Sequence, residues 1–151
     1  MNKMPLDAQS ILPDQATTPT LLDGRIPVEL ESADRVLLFL DYDGTLAGFS
    51  PRPDDVIPDP DVIDILRQLS SDEHFRVAII TGRRLAHGRE LVPVEGILLA
   101  GTYGVEMLLP SGDTYHRLPM DRVRPIVEAL KERWEALLAN REGYYLEDKG
   151  W

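Results

Sequence analysis

Two carboxylates at the end of an apolar run are the residues of this sequence best placed for chemistry. Residues Val36–Thr45 read Val-Leu-Leu-Phe-Leu-Asp-Tyr-Asp-Gly-Thr. In an extended chain, residues two apart point the same way, so Asp41 and Asp43 can face a common point just beyond the strand. Carboxylates can attack as nucleophiles or carry protons, and open α/β sheets bind ligands at that end of a strand. The spacing therefore predicts a ligand site, with the Thr45 hydroxyl beside the pair.

The apolar run Val36–Leu40 predicts the strand that carries this site. It has no polar face, which is typical of a strand covered on both sides in the middle of a parallel sheet. The dipeptide Asp43-Gly44 is also frequent in hairpin turns. However, the run does not alternate, and Leu46–Phe49 leads into prolines instead of a second strand. We therefore favour a functional loop over a hairpin.

A second polar group follows the next apolar strand, Val77–Ile80, which runs directly into Thr81-Gly82-Arg83. A hydroxyl and a glycine amide that open a helix offer donors and a positive helix end to an anion. Alone, Thr-Gly is more often a helix cap. Its place one strand-helix unit after the carboxylates favours a phosphate site.

The other elements complete an α/β pattern. A stiff loop with four prolines spans Ser50–Pro60, and a helix from Asp59 or Pro60 to about Ser70 turns Val62, Ile65, Leu66 and Leu69 to the core. A helix over Arg83–Leu91, interrupted by Gly88, precedes a third strand, Ile97–Ala100. These strand-helix-strand units predict a parallel sheet.

The last third of the sequence predicts a hairpin and a long helix. The hairpin joins Met107–Pro110 to Thr114–Leu118. Asp121 can cap a helix with Pro125 in its first turn. The apolar stripe of this helix, expected to pack on a small sheet beginning at Tyr144–Gly150, comprises Val123, Ile126, Val127, Leu130, Trp134, Leu137 and Leu138.

Composition limits the classes of partner and compartment. The 151 residues, 43% of them hydrophobic, suit one domain, and the formal charge of −10 opposes nucleic-acid binding. No apolar run has a membrane span's length, and Met1–Thr20 lacks a signal peptide's apolar centre, which predicts a cytoplasmic protein without membrane contact. The segment Arg76–Arg89 carries four arginines and no acid, so it could help an anionic substrate.

The motif Asp41-x-Asp43-Gly-Thr resembles the first motif of the haloacid-dehalogenase-like phosphatases. The resemblance implies that Asp41 is the nucleophile and Asp43 the general acid/base. It also implies that Mg²⁺ binds Asp41 and the main-chain carbonyl of Asp43. Thr81-Gly82 resembles the second motif, which makes both residues phosphate contacts.

Three stretches resemble trehalose-6-phosphate phosphatases in particular: Leu99–Glu106, the glycine-centred hairpin, and Leu146–Gly150. Members commonly have a histidine at the place of Tyr103. The last stretch implies that Glu147 and Lys149 bind sugar hydroxyls, and a carboxylate with an ammonium suits that role. Without the resemblance, an ordinary salt bridge on an exposed strand would be preferred.

The expected fold is therefore α/β, a Rossmann-like parallel core of the haloacid-dehalogenase type. Residues 1–30 are expected to form a flexible leader, 31–118 the N-terminal part of the core, and 119–151 the start of an α/β cap. The superfamily's third and fourth motifs do not occur, so the C-terminal half of the core is expected to be absent. Val36–Leu40 is then expected to become an edge strand, which favours non-specific self-association.

The expected activity is hydrolysis of trehalose 6-phosphate, a small sugar phosphate, through an aspartyl phosphate. The alternatives are another sugar phosphatase of the sucrose-phosphate type and a catalytically incomplete sugar-phosphate-binding fragment.

Overall fold

The computed structural model describes Leu30, residues 32–144 and residues 146–149. Contacts along the chain divide it into Met1–Asp34 and Arg35–Trp151. Every element below belongs to the second unit. The leader predicted for residues 1–30 lies, apart from Leu30, outside the described residues.

A five-stranded mixed sheet is the centre of the second unit. Its strands, which lie in the order of the sequence, are β1 (Val36–Asp41), β2 (Phe75–Ile80), β3 (Leu98–Gly101), β4 (Glu106–Leu108) and β5 (Thr114–His116). The first three are parallel, as the strand-helix-strand spacing predicts. The last two form the predicted hairpin, with shorter strands, and its first strand, β4, pairs antiparallel with β3.

Strand β1 pairs only with β2 and is an edge of the described sheet. Its burial alternates: Val36 is buried, whereas Leu37 and Phe39 are exposed, the latter by 69%. The prediction of a strand covered on both faces is therefore wrong for the described residues, because nothing there packs on the second face. The expected edge position is confirmed.

Helix α1 (Pro60–Ser71) begins where the sequence predicts. The Asp59 carboxylate accepts the Asp61 N–H at 2.9 Å and caps the first turn. Ile63 and Leu66 are buried on the face toward the sheet, but Ile65, predicted to face the core, is 56% exposed. The buried face is thus rotated from the predicted stripe, with Val62 and Leu69 among the residues at its margin.

Helix α2 (Leu85–Leu91) starts two residues later than predicted and runs through Gly88 without interruption. Gly88 is buried against β3, where a Cβ atom would lie 3.3 Å from the Leu99 side chain. This glycine therefore allows the helix to approach the sheet closely. The core that results consists of side chains from the strands, both helices and the loop after α2, including Leu66, Val77, Ile79, Leu91, Ile97 and Leu99.

Helix α3 (Met120–Leu138) has Pro119 as its N-cap, so Asp121 lies in its first turn and does not cap it. Pro125 then falls inside the helix instead of in its first turn. No residue of α3 is buried, and Trp134 is 51% exposed. The predicted packing of this stripe on a sheet is absent from the described residues, since residues 144 and 146–149 form no strand there.

No helix in the described part of the chain combines the length and the apolar character needed to cross a membrane.

Candidate functional site

The two predicted carboxylates lie at the carboxyl end of β1, just before a tight turn over residues 44–46. The Tyr42 carbonyl accepts the N–H groups of Leu46 and Ala47 at 2.9 and 3.0 Å, and Gly44 has φ +85°, a conformation that favours glycine. Asp43 and Ala47 form an isolated β-bridge of the parallel type. The chain therefore forms a tight turn here and not an antiparallel hairpin, so the hairpin alternative is excluded.

Tyr42, between the two carboxylates, points the opposite way and is buried in the core. Burial raises the pKa of its phenol above the ordinary value, partly opposed by the Arg83 guanidinium. Its side chain helps to fix β1, because residues that alternate along an extended chain face opposite sides. Asp41 and Asp43 consequently share the side away from the core, where Asp41 is exposed.

The Asp43 carboxylate forms a bidentate ion pair with Arg83, a residue 40 positions away. Arg83 Nη2 donates to Asp43 Oδ1 at 2.6 Å, and Nε donates to Oδ2 at 2.9 Å. The Arg83 side chain is only 6% exposed, against 32% for Asp43. Such fork geometry orients a carboxylate in one plane. Asp43 therefore has a defined orientation before any substrate arrives.

Arg83 also connects the turn after β1 with two other segments. Its Nη1 donates to the Pro53 carbonyl at 2.6 Å and lies 3.3 Å from the His87 ring, while the guanidinium lies 5.7 Å from the Tyr42 ring centroid. A guanidinium with these partners has few donors left. The prediction that the arginine-rich segment helps an anionic substrate is therefore wrong for Arg83, which is committed to Asp43.

Thr81 and Gly82, the predicted phosphate contacts, have different surroundings. Thr81 is 2% exposed, and its hydroxyl accepts the Arg83 N–H at 3.1 Å. Gly82 lines the same cleft as the carboxylates. The structure thus brings Gly82, but not the Thr81 side chain, to the cleft surface.

The first amide of α2 is bound by a side chain of the protein itself. The buried Glu106 accepts the Leu85 N–H at 2.9 Å and the Thr102 hydroxyl at 3.1 Å. A carboxylate at a helix N-terminus meets both the free amides and the positive end of the dipole. This helix end was predicted to serve an incoming anion, but its first amide is already occupied.

We expect Glu106→Ala to lower the free energy of unfolding by about 1–3 kcal/mol, because the buried Leu85 N–H loses its acceptor. Urea denaturation followed by circular dichroism measures this change. The exposed Glu95→Ala variant is the control and should shift the midpoint little. Equal effects of the two substitutions would show that Glu106 is not the cap.

One cleft of about 410 Å³ contains five of the six predicted site residues. It is lined by Asp41, Asp43, Phe49, Ser50, Pro53, Gly82, Arg83, Tyr103, Glu147 and Lys149. A larger cavity of about 510 Å³ lies between residues 92–97 and the β4–β5 turn. That cavity adjoins the amino end of β3 and holds none of the predicted site residues. The cleft at the carboxyl ends of β1 and β2 is therefore the candidate site.

Glu147 and Lys149 form a salt bridge of 2.6 Å at the side of this cleft. Between them, Asp148 pairs with Lys131 of α3 at 2.6 Å. This contact raises the pKa of Lys131 through the hydrogen bond to Asp148. The ordinary salt bridge considered from the sequence is thus present, and it lies where a bound molecule would meet it.

The donor set at the cleft suits part of a magnesium site. Asp41 and the main chain at Asp43 offer hard oxygen donors, and Mg²⁺ is commonly bound through one or two carboxylates with several waters. Within residues 32–144 and 146–149, no three His, Asp or Glu side chains group closely enough to hold a metal ion. The residues present therefore fit the cation but supply few of its ligands.

Sequence reasoning missed two features of the site. The Arg83–Asp43 pair joins residues 40 positions apart, and only the direct succession of Thr-Gly-Arg after a strand hinted at it. Phe49, assigned no role, lines the cleft with 86% of its surface exposed. An aromatic residue just before a proline-rich loop was the available signal.

The sequence model described as trehalose-phosphatase matches residues 39–151. A trehalose-phosphate phosphatase from Mycobacterium leprae is 31% identical over 140 residues, which are 93% of this chain and 31% of that protein. The chain thus spans about a third of this relative's length.

Solved structures share the fold. The C-terminal domain of a trehalose-6-phosphate phosphatase from C. albicans superposes with a TM-score of 0.70 at 24% identity, over 82% of this chain and 42% of that one. A trehalose-6-phosphate phosphatase from Aspergillus fumigatus gives a TM-score of 0.58 at 25% identity, over 82% and 46%. The predicted α/β fold class is confirmed. Because the family model covers most of its length, the chain belongs to the trehalose-phosphatase family.

Proposed function

We propose that the protein hydrolyses trehalose 6-phosphate to trehalose and phosphate. The observation that carries this proposal is the single cleft in which Asp41 and Asp43 meet Glu147 and Lys149. Cleavage of a phosphoester needs a nucleophile and a proton donor, the roles proposed for Asp41 and Asp43. A leaving group rich in hydroxyls suits Glu147 and Lys149. The names of the relatives agree with this chemistry, and the likeness to their folds supports it.

In the proposed reaction, an Asp41 oxygen bonds to phosphorus while the bond from phosphorus to the sugar oxygen breaks. Asp43 enters this step in its protonated form and gives its proton to that oxygen, which leaves as a hydroxyl of trehalose. Asp43 then takes a proton from water as the water oxygen attacks phosphorus, so that phosphate leaves and Asp41 is regenerated. The ion pair with Arg83 holds the carboxylate form of Asp43 in one orientation for the second transfer.

Asp41 and the main-chain carbonyl of Asp43 would hold Mg²⁺, which when bound would offset the repulsion between Asp41 and a phosphate dianion. The Gly82 amide contacts the phosphate in this proposal. Thr81 does so only if its buried hydroxyl reaches the cleft. That hydroxyl accepts one bond and keeps its own hydrogen to donate.

Substitution of Glu147 or Lys149 tests whether this pair binds the sugar of the substrate. Changing either residue to Ala should lower kcat/KM for trehalose 6-phosphate about tenfold more than for a small generic phosphate ester, because only the sugar contacts the pair. Steady-state kinetics on both substrates measure this ratio. Glu128→Ala removes an exposed carboxylate of a similar ion pair on α3 and is the matched control.

Equal losses on both substrates would mean that the Glu147–Lys149 pair is structural. Turnover across a panel of sugar phosphates, including sucrose 6-phosphate, distinguishes trehalose 6-phosphate from the sucrose-type alternative. Binding of the sugar phosphate without release of phosphate would favour the alternative of an incomplete fragment.

Three further parts of the proposal concern the organisation of the protein. Residues 31–118 belong to the catalytic core and residues 119–151 begin a cap. The protein acts in the cytoplasm, where small sugar phosphates are its partners. Chains bearing an uncovered β1 edge associate through it, since β1 pairs only with β2 in the described sheet and offers its other edge of N–H and C=O groups to a second chain.

A further inference from the structure

Two exposed aromatic rings lie in the cleft beside the catalytic carboxylates. Phe49 is 86% exposed and Tyr103 is 78% exposed, and both line the cleft that holds Asp41 and Asp43. Phe49 follows β1 in the chain, whereas Tyr103 follows β3. Neither ring has a role in the chemical steps proposed above.

Each ring packs against a glycine that follows a site residue. A Cβ atom on Gly44, next to Asp43, would lie 2.5 Å from the Phe49 ring, and one on Gly82 would lie 2.6 Å from the Tyr103 hydroxyl. Contacts this short exclude any side chain at either glycine without displacing the ring. The glycines of both motifs therefore give the two rings room over the site.

The backbone that presents Tyr103 is strained. Thr102 and Tyr103 have φ of 48° and 55°, left-handed values that residues other than glycine rarely adopt. Two hydrogen bonds hold this turn on the segment after β2: the Thr102 N–H donates to the Arg83 carbonyl at 2.7 Å, and the Tyr103 N–H donates to the Thr81 carbonyl at 3.0 Å. The strain places an aromatic ring over Gly82.

We propose that Phe49 and Tyr103 are specificity-determining residues that pack against the apolar C–H faces of the sugar leaving group; this rests on the proposed function. A pyranose has apolar faces and a polar rim. Aromatic rings bury the faces, and the Glu147–Lys149 pair lies in the same cleft to meet the hydroxyls of the rim. The substrate class is thus a phosphate ester of a ring sugar.

Binding of unphosphorylated trehalose, measured by isothermal titration calorimetry and saturation-transfer NMR, tests the rings separately from turnover. Phe49→Leu and Tyr103→Leu should each raise the Kd for trehalose about fivefold, because they keep bulk but remove the flat ring. Tyr103→Phe, which keeps the ring, should bind more tightly than Tyr103→Leu. Ile57→Ala, an exposed residue of the same proline-rich loop outside the cleft, is the matched control.

Turnover supplies the second measurement. With either Leu variant, the loss of kcat/KM on trehalose 6-phosphate should exceed the loss on the acyclic ester glycerol 2-phosphate about fivefold. Unchanged trehalose affinity in both Leu variants, or no trehalose binding by the unaltered chain, would overturn the inference. Ring-dependent trehalose binding without release of phosphate would leave the inference standing and sink the proposed phosphatase activity instead.

Discussion

Asp41→Asn is expected to lower kcat for phosphate release by at least about 1000-fold, because an amide cannot replace the attacking carboxylate. The fold should be unaffected. The Asp41 side chain is exposed at the end of β1, and the described residues give it no ion pair whose loss would cost stability. Phosphate release from trehalose 6-phosphate, followed together with thermal unfolding, separates the two effects.

Asp54→Asn is the matched control, since it changes an exposed carboxylate of the loop that adjoins the cleft. It should change kcat by less than about twofold and the unfolding midpoint by less than about one degree. Phosphate release by Asp41→Asn at a rate comparable to that of this control would refute the covalent mechanism.

Arg83→Ala is expected to lower the free energy of unfolding by roughly 3 kcal/mol and to reduce kcat as well. The substitution leaves the Asp43 carboxylate without its bidentate partner and the Pro53 carbonyl without its donor at 2.6 Å. The partial exposure of Asp43 allows water to replace some of the lost contacts, which limits the effect. Urea denaturation gives the stability change.

Arg84→Ala removes the neighbouring, exposed guanidinium and controls for the change in net charge. It should alter the stability by less than about 0.5 kcal/mol. Partial recovery of Arg83→Ala activity by added guanidinium ion would show that Asp43 needs the cation itself. If Arg83→Ala and Arg84→Ala unfold at the same urea concentration, the ion pair contributes nothing and Asp43 is oriented by other contacts.

Local pattern was sufficient to predict the strands and their parallel order. The runs Val36–Leu40 and Val77–Ile80 are continuous apolar segments, and the spacing between them suits one crossover helix. Strand and helix periods are properties of a few consecutive residues, so they can be read without knowing what the chain packs against. The position of Asp41 and Asp43 at a strand end follows from the same local rule.

The burial of side chains on β1 and α3 could not be derived from local pattern. The apolar composition of β1 and α3 predicts two covered faces and a buried stripe, yet Phe39 and Trp134 are exposed. An apolar pattern states which face prefers burial, but only a packing partner removes that face from water. Among the described residues, nothing covers the exposed face of β1, and only residues 146–149 lie beside α3, which leaves Trp134 half exposed.

The sequence by itself determined that two carboxylates end a parallel strand, that a glycine follows Asp43 and another follows Thr81, and that a hairpin forms. Each of these features depends on neighbouring residues. Only the tertiary structure decided that Arg83 orients Asp43 across 40 positions and that Glu106 caps α2 across 21. It also placed the rings of Phe49 and Tyr103 over two glycines. The contact of Phe49 with Gly44 lies within one loop, but the others join segments from separate elements, so they arise from how the strands align and leave no periodic trace in the chain.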